Sequence, residues 1–245
     1  MRAQDGIKRR VKTLLFRGPP RPRRLKRGPA RGALFVVDRR HDLQRELGLY
    51  EVELTPLYRR VVSADATVFE VGAADGYSAV TLASLASRGR VVCFEPDPAQ
   101  RARLAQNMAL NPVLARRVEV VDTAAGRGGD DGRALDDLVE AREVPVPDVV
   151  KIDVDGGELA VLEGMHGILA DHRPCLVVET HSRELERAAS AVLATLAYDV
   201  TVVRNAWWRT LWPELRPVGH NRWLLAVPQP GGAADDGSAA TSRRA

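Results

Sequence analysis

The stretch of this sequence most able to do chemistry is a glycine-rich turn with carboxylates around it. Residues 68–76 read VFEVGAADG, in which an apolar run contains Glu70 and leads into Gly72, Ala74 and Gly76. Small residues between a strand and a helix let a ligand approach the backbone, and the free N–H groups of the helix start point at that ligand. The pattern therefore predicts a cofactor site at this turn.

The acidic residues near the turn indicate the charge of that cofactor. A dinucleotide site carries G-x-G-x-x-G, whereas here Glu70 precedes the first glycine by two positions. A carboxylate there would repel a pyrophosphate and would suit a cationic ammonium or sulfonium group. Glu95, at the end of the next predicted strand, could accept hydrogen bonds from two ribose hydroxyls. Together these residues predict S-adenosylmethionine as the cofactor.

Predicted strands and helices alternate along most of the chain, which is typical of a parallel sheet with helices on both faces. Two final strands without a helix between them predict an antiparallel edge pair. The fold class is therefore α/β: a Rossmann-like doubly wound sheet of seven strands, mostly parallel, with an antiparallel edge strand. Strands are predicted at 67–71, 90–94, 118–121, 146–154, 175–179, 200–203 and 223–227, and helices at 77–87, 98–110, 135–141, 158–169 and 183–196.

Charge is distributed unevenly along the chain. Residues 1–31 contain twelve Lys/Arg and one acid, together with several Pro and Gly, whereas the remainder contains 24 Lys/Arg and 31 acids. We predict a basic, disordered tail over 1–31, cover helices over 32–66, a main domain over 67–228 and a disordered C-terminal tail over 229–245. The basic tail is either a solvated extension or an arm for nucleic acid or an anionic membrane.

The composition also indicates in which cellular compartment the protein works. No apolar run approaches the ~20 residues that a membrane span needs. Cys93 and Cys175 each lie inside an apolar run, which is typical of small buried hydrophobes and favours a reducing, cytoplasmic location. No sequence pattern indicates an oligomeric state.

Several segments in order resemble one family, from about Gly48 to Pro228. VFEVGAADGYSAVTLA (68–83), VVCFEPDP (91–98) and VVKIDVDGGELAVLEGM (149–165) are similar to motifs of the FkbM family of class I S-adenosylmethionine-dependent methyltransferases. The third segment is the most specific match, to K-I-D-V-E-G-x-E-x-x-V-L-x-G. Ala74, Asp75 and Asp155 depart from the family pattern.

The resemblance implies a role for each candidate site residue, and it makes residues 67–228 a class I methyltransferase domain. Asp153 would face the methyl-transfer centre, where it or His181 would serve as the general base. Tyr50 and Glu51 would close over the cofactor. The implied cofactor contacts are Glu70, Gly72, Ala74 and Gly76 at the methionine part, Glu95 at the ribose, and Asp122 and Thr123 at the adenine.

A metal site is not predicted. Asp153 and Glu179 at two strand ends offer oxygen ligands that Mg²⁺ accepts, but two acids are a weak signal. Glu179 could equally be a structural carboxylate that pairs with an arginine, and His181 a loop residue that bonds to the backbone. Three tryptophans of the last loop, Trp207, Trp208 and Trp212, are candidates for an acceptor pocket.

The sequence thus predicts a methyltransferase that acts on a hydroxyl of a sugar or secondary metabolite, a small-molecule partner. The Asn/Asp-Pro-Pro-aromatic segment of enzymes that methylate amino groups of nucleic acid bases is missing after the fourth strand. One alternative is an RNA methyltransferase that uses the basic N-terminal arm. The other is a non-catalytic cofactor-binding or interaction module, because the turn departs from the family pattern.

Overall fold

The structure is a computed structural model that describes residues 16, 18–206 and 222–231. Its centre is a seven-stranded sheet with the strand order β5-β4-β3-β6-β7-β9-β8, and a separate two-stranded sheet pairs β1 with β2. The strands are β1 Arg21–Arg24, β2 Leu34–Val37, β3 Thr67–Val71, β4 Arg90–Phe94, β5 Val118–Val121, β6 Val149–Ile152, β7 Cys175–Thr180, β8 Tyr198–Val203 and β9 Arg222–Pro228.

Helices follow most strands of the large sheet, as the alternating pattern predicted. Short 3₁₀ turns at Val52–Leu54 and Gly129–Asp131 and a π-helical turn at Ile168–His172 complete the regular structure of the described residues. The α-helices are α1 Leu43–Leu47, α2 Thr55–Val61, α3 Tyr77–Leu85, α4 Pro98–Ala109, α5 Pro112–Ala115, α6 Leu135–Glu140, α7 Glu158–Glu163 and α8 Arg183–Thr195.

Strand pairing confirms the predicted fold class. Strands β5, β4, β3, β6 and β7 run parallel to one another, and β9 is antiparallel to both β7 and β8. The antiparallel strand β9 therefore lies one position in from the edge strand β8. Because parallel strands end at the same edge of a sheet, the carboxyl ends of β3, β4, β6 and β7 converge, and ligands of such sheets bind there.

Alternate residues of the central strands pack into two hydrophobic cores, one on each face of the sheet. Val68 and Val149 belong to one core, whereas Phe69 and Val150 belong to the other. Burial on both faces explains the nearly continuous apolar sequence of these strands. Lys151 is the exception to this apolar sequence, because it is a charged residue that is almost fully buried within β6.

Two predicted elements are shorter than expected. Strand β6 begins at Val149 rather than at residue 146, consistent with the lack of an N–H group in Pro147. Helix α7 ends at Glu163, and the next residue is Gly164. A Cβ at Gly164 would lie 1.7 Å from the carbonyl oxygen of Gly126, so this position admits only glycine and brings two backbone segments together.

The N-terminal segment departs from the prediction of a disordered tail. Strand β1 pairs with β2 in antiparallel register, and Leu25 and Ala30 are buried in the core. Disorder is therefore wrong for residues 18–31, because two apolar side chains and a partner strand compensate for the basic composition. Residues 1–15, 17 and 232–245 of the two predicted tails lie outside the described residues, and the proposed domain boundaries remain predictions.

The cover is a mixed segment rather than helices alone, since it contains β2, a 3₁₀ turn and two short helices. Two asparagines, one in the last turn of α4 and one just after this helix, form hydrogen bonds with β2. Asn111 accepts a hydrogen bond from the Leu34 N–H at 2.9 Å, and Asn107 accepts one from the Val36 N–H at 2.9 Å. Over the described residues, none of the helices combines the length and the apolar character of a membrane span.

Candidate active site

The glycine-rich turn between β3 and α3 uses left-handed backbone at three positions: Gly72, Ala74 and Gly76 have φ values of 85°, 46° and 87°. A Cβ at Gly72 would lie 1.9 Å from the carbonyl oxygen of Asp153. A Cβ at Gly76 would lie 2.9 Å from Leu104 Cγ. The turn is therefore packed directly against the end of β6, and Gly72 is required by that contact.

Glu95 holds the same turn from the neighbouring strand. Its Oε2 accepts a hydrogen bond from the Ala74 N–H at 2.7 Å, and its Oε1 accepts one from the Asp97 N–H at 2.9 Å. Asp97 in turn accepts a hydrogen bond from the Ala99 N–H at 2.7 Å and caps helix α4. Each carboxylate oxygen has a second lone pair, through which the predicted ribose contact of Glu95 would be made.

A cavity of about 500 Å³ lies beside the turn, within the usual size range of small-molecule sites. Its walls come from the carboxyl ends of β3, β4 and β6 and from the segment after β5. The lining includes Gly72, Phe94, Pro96, Ala124, Val154 and Gly157. The wall near β4 and the segment after β5 is apolar, since Phe94, Pro96, Ala124 and Ala125 form it.

Asp122 and Thr123, predicted to frame the adenine, do not line this cavity. The Asp122 side chain is 69% exposed and pairs with Arg101 at 2.6 Å. The Thr123 hydroxyl donates to the carbonyl oxygen of Ala124 at 3.1 Å. The lining side chains from this segment are the next two residues, Ala124 and Ala125.

A buried ion pair joins the ends of β3 and β6. Lys151 Nζ lies 3.1 Å from Glu70 Oε1 and 3.4 Å from Asp153 Oδ2. Burial raises the pKa of Glu70 to about 7, against the opposing effect of Lys151. Burial would lower the pKa of Lys151, but Glu70 and Asp153 hold that pKa well above its usual value. Lys151 is thus the fixed positive charge of the site.

Asp153, Glu179 and His181 meet at the ends of β6 and β7. The Nε2 atom of His181 lies 3.8 Å from Asp153 Oδ1 and 3.7 Å from Glu179 Oε1. Burial would raise the pKa of Asp153, but Lys151 and hydrogen bonds hold that pKa below its usual value. Burial and the nearby charge of Asp153 raise the pKa of Glu179 to about 8. Asp153 is therefore the carboxylate that is ionised at neutral pH.

Glu158, at the start of α7, fixes the orientation of the histidine ring. The side chain of Glu158 is fully buried, and its Oε1 lies 3.1 Å from His181 Nδ1. The same oxygen accepts a hydrogen bond from the Gly156 N–H at 3.2 Å. The hydrogen bond to Glu158, opposed by desolvation, raises the pKa of His181 to about 9.

Two cover residues lie against this cluster, where they were predicted to close over a cofactor. The Tyr50 ring contacts the Tyr77 ring edge to face, with centroids 5.3 Å apart. Glu51 is buried in left-handed backbone, and its charge contributes to the raised pKa values of Glu70 and Glu179. The N-terminal segment thus adds a carboxylate to the site.

The structure brings together most of the predicted site: Glu70, Asp153 and His181 converge on one side of the turn, and Glu95 lies on the other. Sequence reasoning missed Lys151 as a site residue, although a lysine inside a short apolar strand is itself a signal of a buried charge partner. It also left the role of Glu158 open. The three tryptophans proposed for an acceptor pocket lie outside the described residues.

Comparison with known families and proteins agrees with this architecture. Residues 130–205 match the sequence model of the methyltransferase FkbM domain. A stretch of 98 residues, 40% of this chain, is 36% identical to the hexuronic acid methyltransferase AglP of Haloferax volcanii and covers 34% of that protein. The chain therefore spans about a third of the curated relative that it matches.

Solved structures show the same fold at low sequence identity. A methyltransferase FkbM from Methylobacillus flagellatus KT is 20% identical with a TM-score of 0.51, over 66% of this chain and 44% of that one. An S-adenosylmethionine-dependent O-methyltransferase from Thermotoga maritima is 13% identical with a TM-score of 0.52, over 73% of this chain and 65% of that one. The fold of this chain is the Rossmann-like fold of these methyltransferases.

Proposed function

We propose that this chain is an FkbM-type methyltransferase that transfers a methyl group from S-adenosylmethionine to a hydroxyl oxygen. The match of residues 130–205 to the FkbM domain supports this proposal. The acceptor class we propose is a sugar or secondary metabolite, and the location is the cytoplasm. The similarity to a hexuronic acid methyltransferase supports a sugar, although it covers only part of either chain.

The observation that carries this proposal is the cavity at the glycine-rich turn, which adjoins a surplus of carboxylates. Gly72 and Val154 line the cavity, whereas the side chains of Glu70 and Asp153 lie outside its lining, near Gly72 and Val154 in the chain. Glu51 and Glu179 add two more largely buried acids, against Lys151 and His181. Burial keeps Glu70 and Glu179 partly protonated at neutral pH, with pKa values of about 7 and about 8. A bound cation would favour the ionised forms of these acids, and the sulfonium and ammonium groups of S-adenosylmethionine supply such charges.

The chemistry that remains for the protein is alignment and removal of a proton. The acceptor oxygen attacks the methyl carbon in line with the carbon–sulfur bond, whose electrons pass to sulfur and leave a neutral thioether. Holding donor and acceptor in that line is the main contribution of such a site. Asp153, which is ionised at neutral pH, accepts the hydroxyl proton, and His181 beside it orients the acceptor.

The proposal is tested with S-adenosylmethionine labelled in its methyl group and a panel of sugars that includes hexuronic acid glycosides. We expect label in a product whose methyl ether survives mild alkali. A methyl ester on a carboxylate would be released by alkali and would contradict transfer to a hydroxyl. Asp153→Asn should lose transfer while Glu143→Gln, an exposed variant paired with Arg133, keeps it.

The two other functions that the sequence raised predict different results. An RNA methyltransferase would lose RNA binding when the basic arm is shortened, but removal of all 31 residues would also remove β1 and the buried Leu25. Deletion of residues 1–15 is therefore the sharper test. A non-catalytic module would bind S-adenosylmethionine but transfer no labelled methyl group to any acceptor, with or without residues 1–15.

A further inference from the structure

We propose that Asp153, Glu179 and His181 form a binding site for one divalent cation, with Mn²⁺ as the probe that fits it. The site itself is inferred from side-chain geometry alone. The use we assign to it, to hold the acceptor hydroxyl, rests on the methyltransferase function proposed above. It replaces the prediction, made from two acids only, that the chain holds no metal.

The spacing of the three side chains is the first argument. His181 Nε2 lies 3.8 Å from Asp153 Oδ1 and 3.7 Å from Glu179 Oε1, and one ligand atom of each residue lies within 4.8 Å of the others. Separations of 3.7–3.8 Å are too long for hydrogen bonds. They are close to the ~3–4 Å between two ligands that each lie about 2.1 Å from one ion.

The orientation of the histidine is the second argument. Glu158 is fully buried and bonds His181 Nδ1 at 3.1 Å, which leaves Nε2 directed at the two carboxylates. A buried carboxylate on the far nitrogen is the arrangement that orients metal-binding histidines and increases their basicity. Binding of a cation releases the protons that His181 Nε2 and Glu179 hold in its absence. The three facing atoms are then all acceptors, which one cation satisfies together.

A buried atom without a partner is the third and independent argument. Glu179 is 5% exposed, and its Oε2 has no hydrogen-bond partner among the described residues. Leaving a buried carboxylate oxygen unsatisfied is costly. The oxygen that faces His181 is the other one, Oε1, so a cation bound by both oxygens of this carboxylate would also satisfy Oε2.

The neighbouring lysine does not block the site, because it contacts the other oxygen of Asp153. Lys151 Nζ is 3.4 Å from Asp153 Oδ2, whereas Asp153 Oδ1 faces His181. Lys151 Nζ also lies 3.1 Å from Glu70 Oε1, so the lysine is shared between two carboxyl groups. Asp155, 81% exposed and 3.6 Å from His181 Nε2, adds a further carboxylate at the solvent side of the site.

The ligand set indicates the type of ion. Two carboxylates and one imidazole form a mixed oxygen and nitrogen set. The carboxylates suit Mn²⁺, whereas the imidazole also suits Zn²⁺ and Fe²⁺, and Mn²⁺ is chosen as the probe because its spin signal reports binding. A hydroxyl bound to such an ion loses its proton more easily. With the ion bound, Asp153 would be its ligand instead of the base. The hydroxyl proton that Asp153 accepts in the metal-free reaction would then pass to solvent as the acceptor oxygen attacks the methyl carbon.

The test is a titration of the full chain, freed of metal with a chelator, with Mn²⁺, followed by calorimetry and by the spin signal of free Mn²⁺. We expect one saturable site. Glu179→Gln should abolish it, and Glu158→Gln should weaken it by about 10–100-fold through the histidine. Glu143→Gln makes the same isosteric substitution at an exposed carboxylate and should leave Mn²⁺ binding unchanged. Thermal unfolding of each variant identifies any that fail to fold, and in that case Asp153→Asn takes the place of Glu179→Gln.

Absence of a saturable site in the wild-type chain would overturn the inference, and so would equal Mn²⁺ affinity in folded Glu179→Gln and Glu143→Gln. A parallel titration with S-adenosylmethionine in the presence of chelator separates this inference from the function. Cofactor binding without a Mn²⁺ site would reject only the cation site. A Mn²⁺ site without cofactor binding would support the site and count against the methyltransferase.

Discussion

Arg45 of the N-terminal segment bonds the carboxylate of Asp75 in the glycine-rich turn, 30 residues away in the chain. Both side chains are largely covered, with exposures of 18% and 21%. The Arg45 guanidinium also lies over the rings of Tyr50 and Tyr77, 4.9 Å and 5.5 Å from their centroids. Asn107 donates to the Asp75 carbonyl oxygen at 2.9 Å. The departure from the family pattern at Asp75 is thus an anchor between cover and turn.

Replacing Asp75 with alanine should therefore loosen both segments. The substitution leaves Arg45 desolvated without its carboxylate, which costs several kcal/mol in fully buried pairs and, discounted for the partial exposure here, about 1–3 kcal/mol of unfolding free energy. Urea unfolding followed by circular dichroism measures the loss.

Asp65→Ala is the matched control, since Asp65 pairs with Arg88 on the open surface and both side chains are 68% exposed. Exposed pairs contribute little, so we expect no measurable change. Equal losses of unfolding free energy in the two variants would show that the Arg45–Asp75 contact stabilises the fold no more than an exposed ion pair does.

Gly72 should tolerate no side chain. Gly72→Ala places a Cβ 1.9 Å from the Asp153 carbonyl oxygen, whereas a Cβ at Gly128 meets nothing within 4 Å. Both glycines have positive φ, 85° and 103°, so both alanine variants carry backbone strain of about 1–3 kcal/mol. Only Gly72→Ala must also push β6 away from β3.

The two alanine variants are compared by thermal unfolding and by S-adenosylmethionine affinity. We expect Gly128→Ala to lose a small amount of stability and no affinity, and Gly72→Ala to lose several degrees in Tm and its cofactor binding. Equal changes in Tm and in S-adenosylmethionine affinity in the two variants would mean that the turn can move away from Asp153 without loss of stability or of cofactor binding.

Much of this architecture could be predicted because it depends on local pattern. Apolar runs such as 90–94 predicted strands at the positions where the structure has them, and the predicted helix 98–110 begins at Pro98 as α4 does. Glu70, Asp153 and His181 were predicted as site residues because they lie at or near the ends of predicted strands. The Arg45–Asp75 and Glu158–His181 contacts could not be predicted, because each joins elements whose relative placement depends on tertiary packing. The order of residues 18–31 was missed for a related reason, since a basic composition hides the pairing of β1 with β2.

Protonation of Glu70 should make stability depend on pH. Burial raises the pKa of this carboxyl from 4.5 to about 7, so between these values the folded protein binds more protons than the unfolded chain. The contribution is complete below pH 4.5 and is lost as the pH rises through 7, an effect of about 3 kcal/mol. Equilibrium unfolding at several pH values measures this slope.

Glu70→Gln should flatten that slope between pH 5 and 7, because the amide does not titrate. Glu143→Gln should leave it unchanged, since Arg133 lowers the pKa of Glu143 below its usual value and places its titration at more acidic pH. An identical slope in wild type and Glu70→Gln would assign the pH dependence to other groups.

Calorimetric titration of the full chain with S-adenosylmethionine measures whether the glycine-rich turn and its carboxylates bind this cofactor. We expect one site in the wild-type protein. Glu95→Ala should bind about 1–3 kcal/mol more weakly, because the Ala74 and Asp97 N–H groups lose their acceptor and the ribose loses its partner. No binding by the wild-type chain at high micromolar cofactor, or unchanged affinity in Glu95→Ala, would contradict the account.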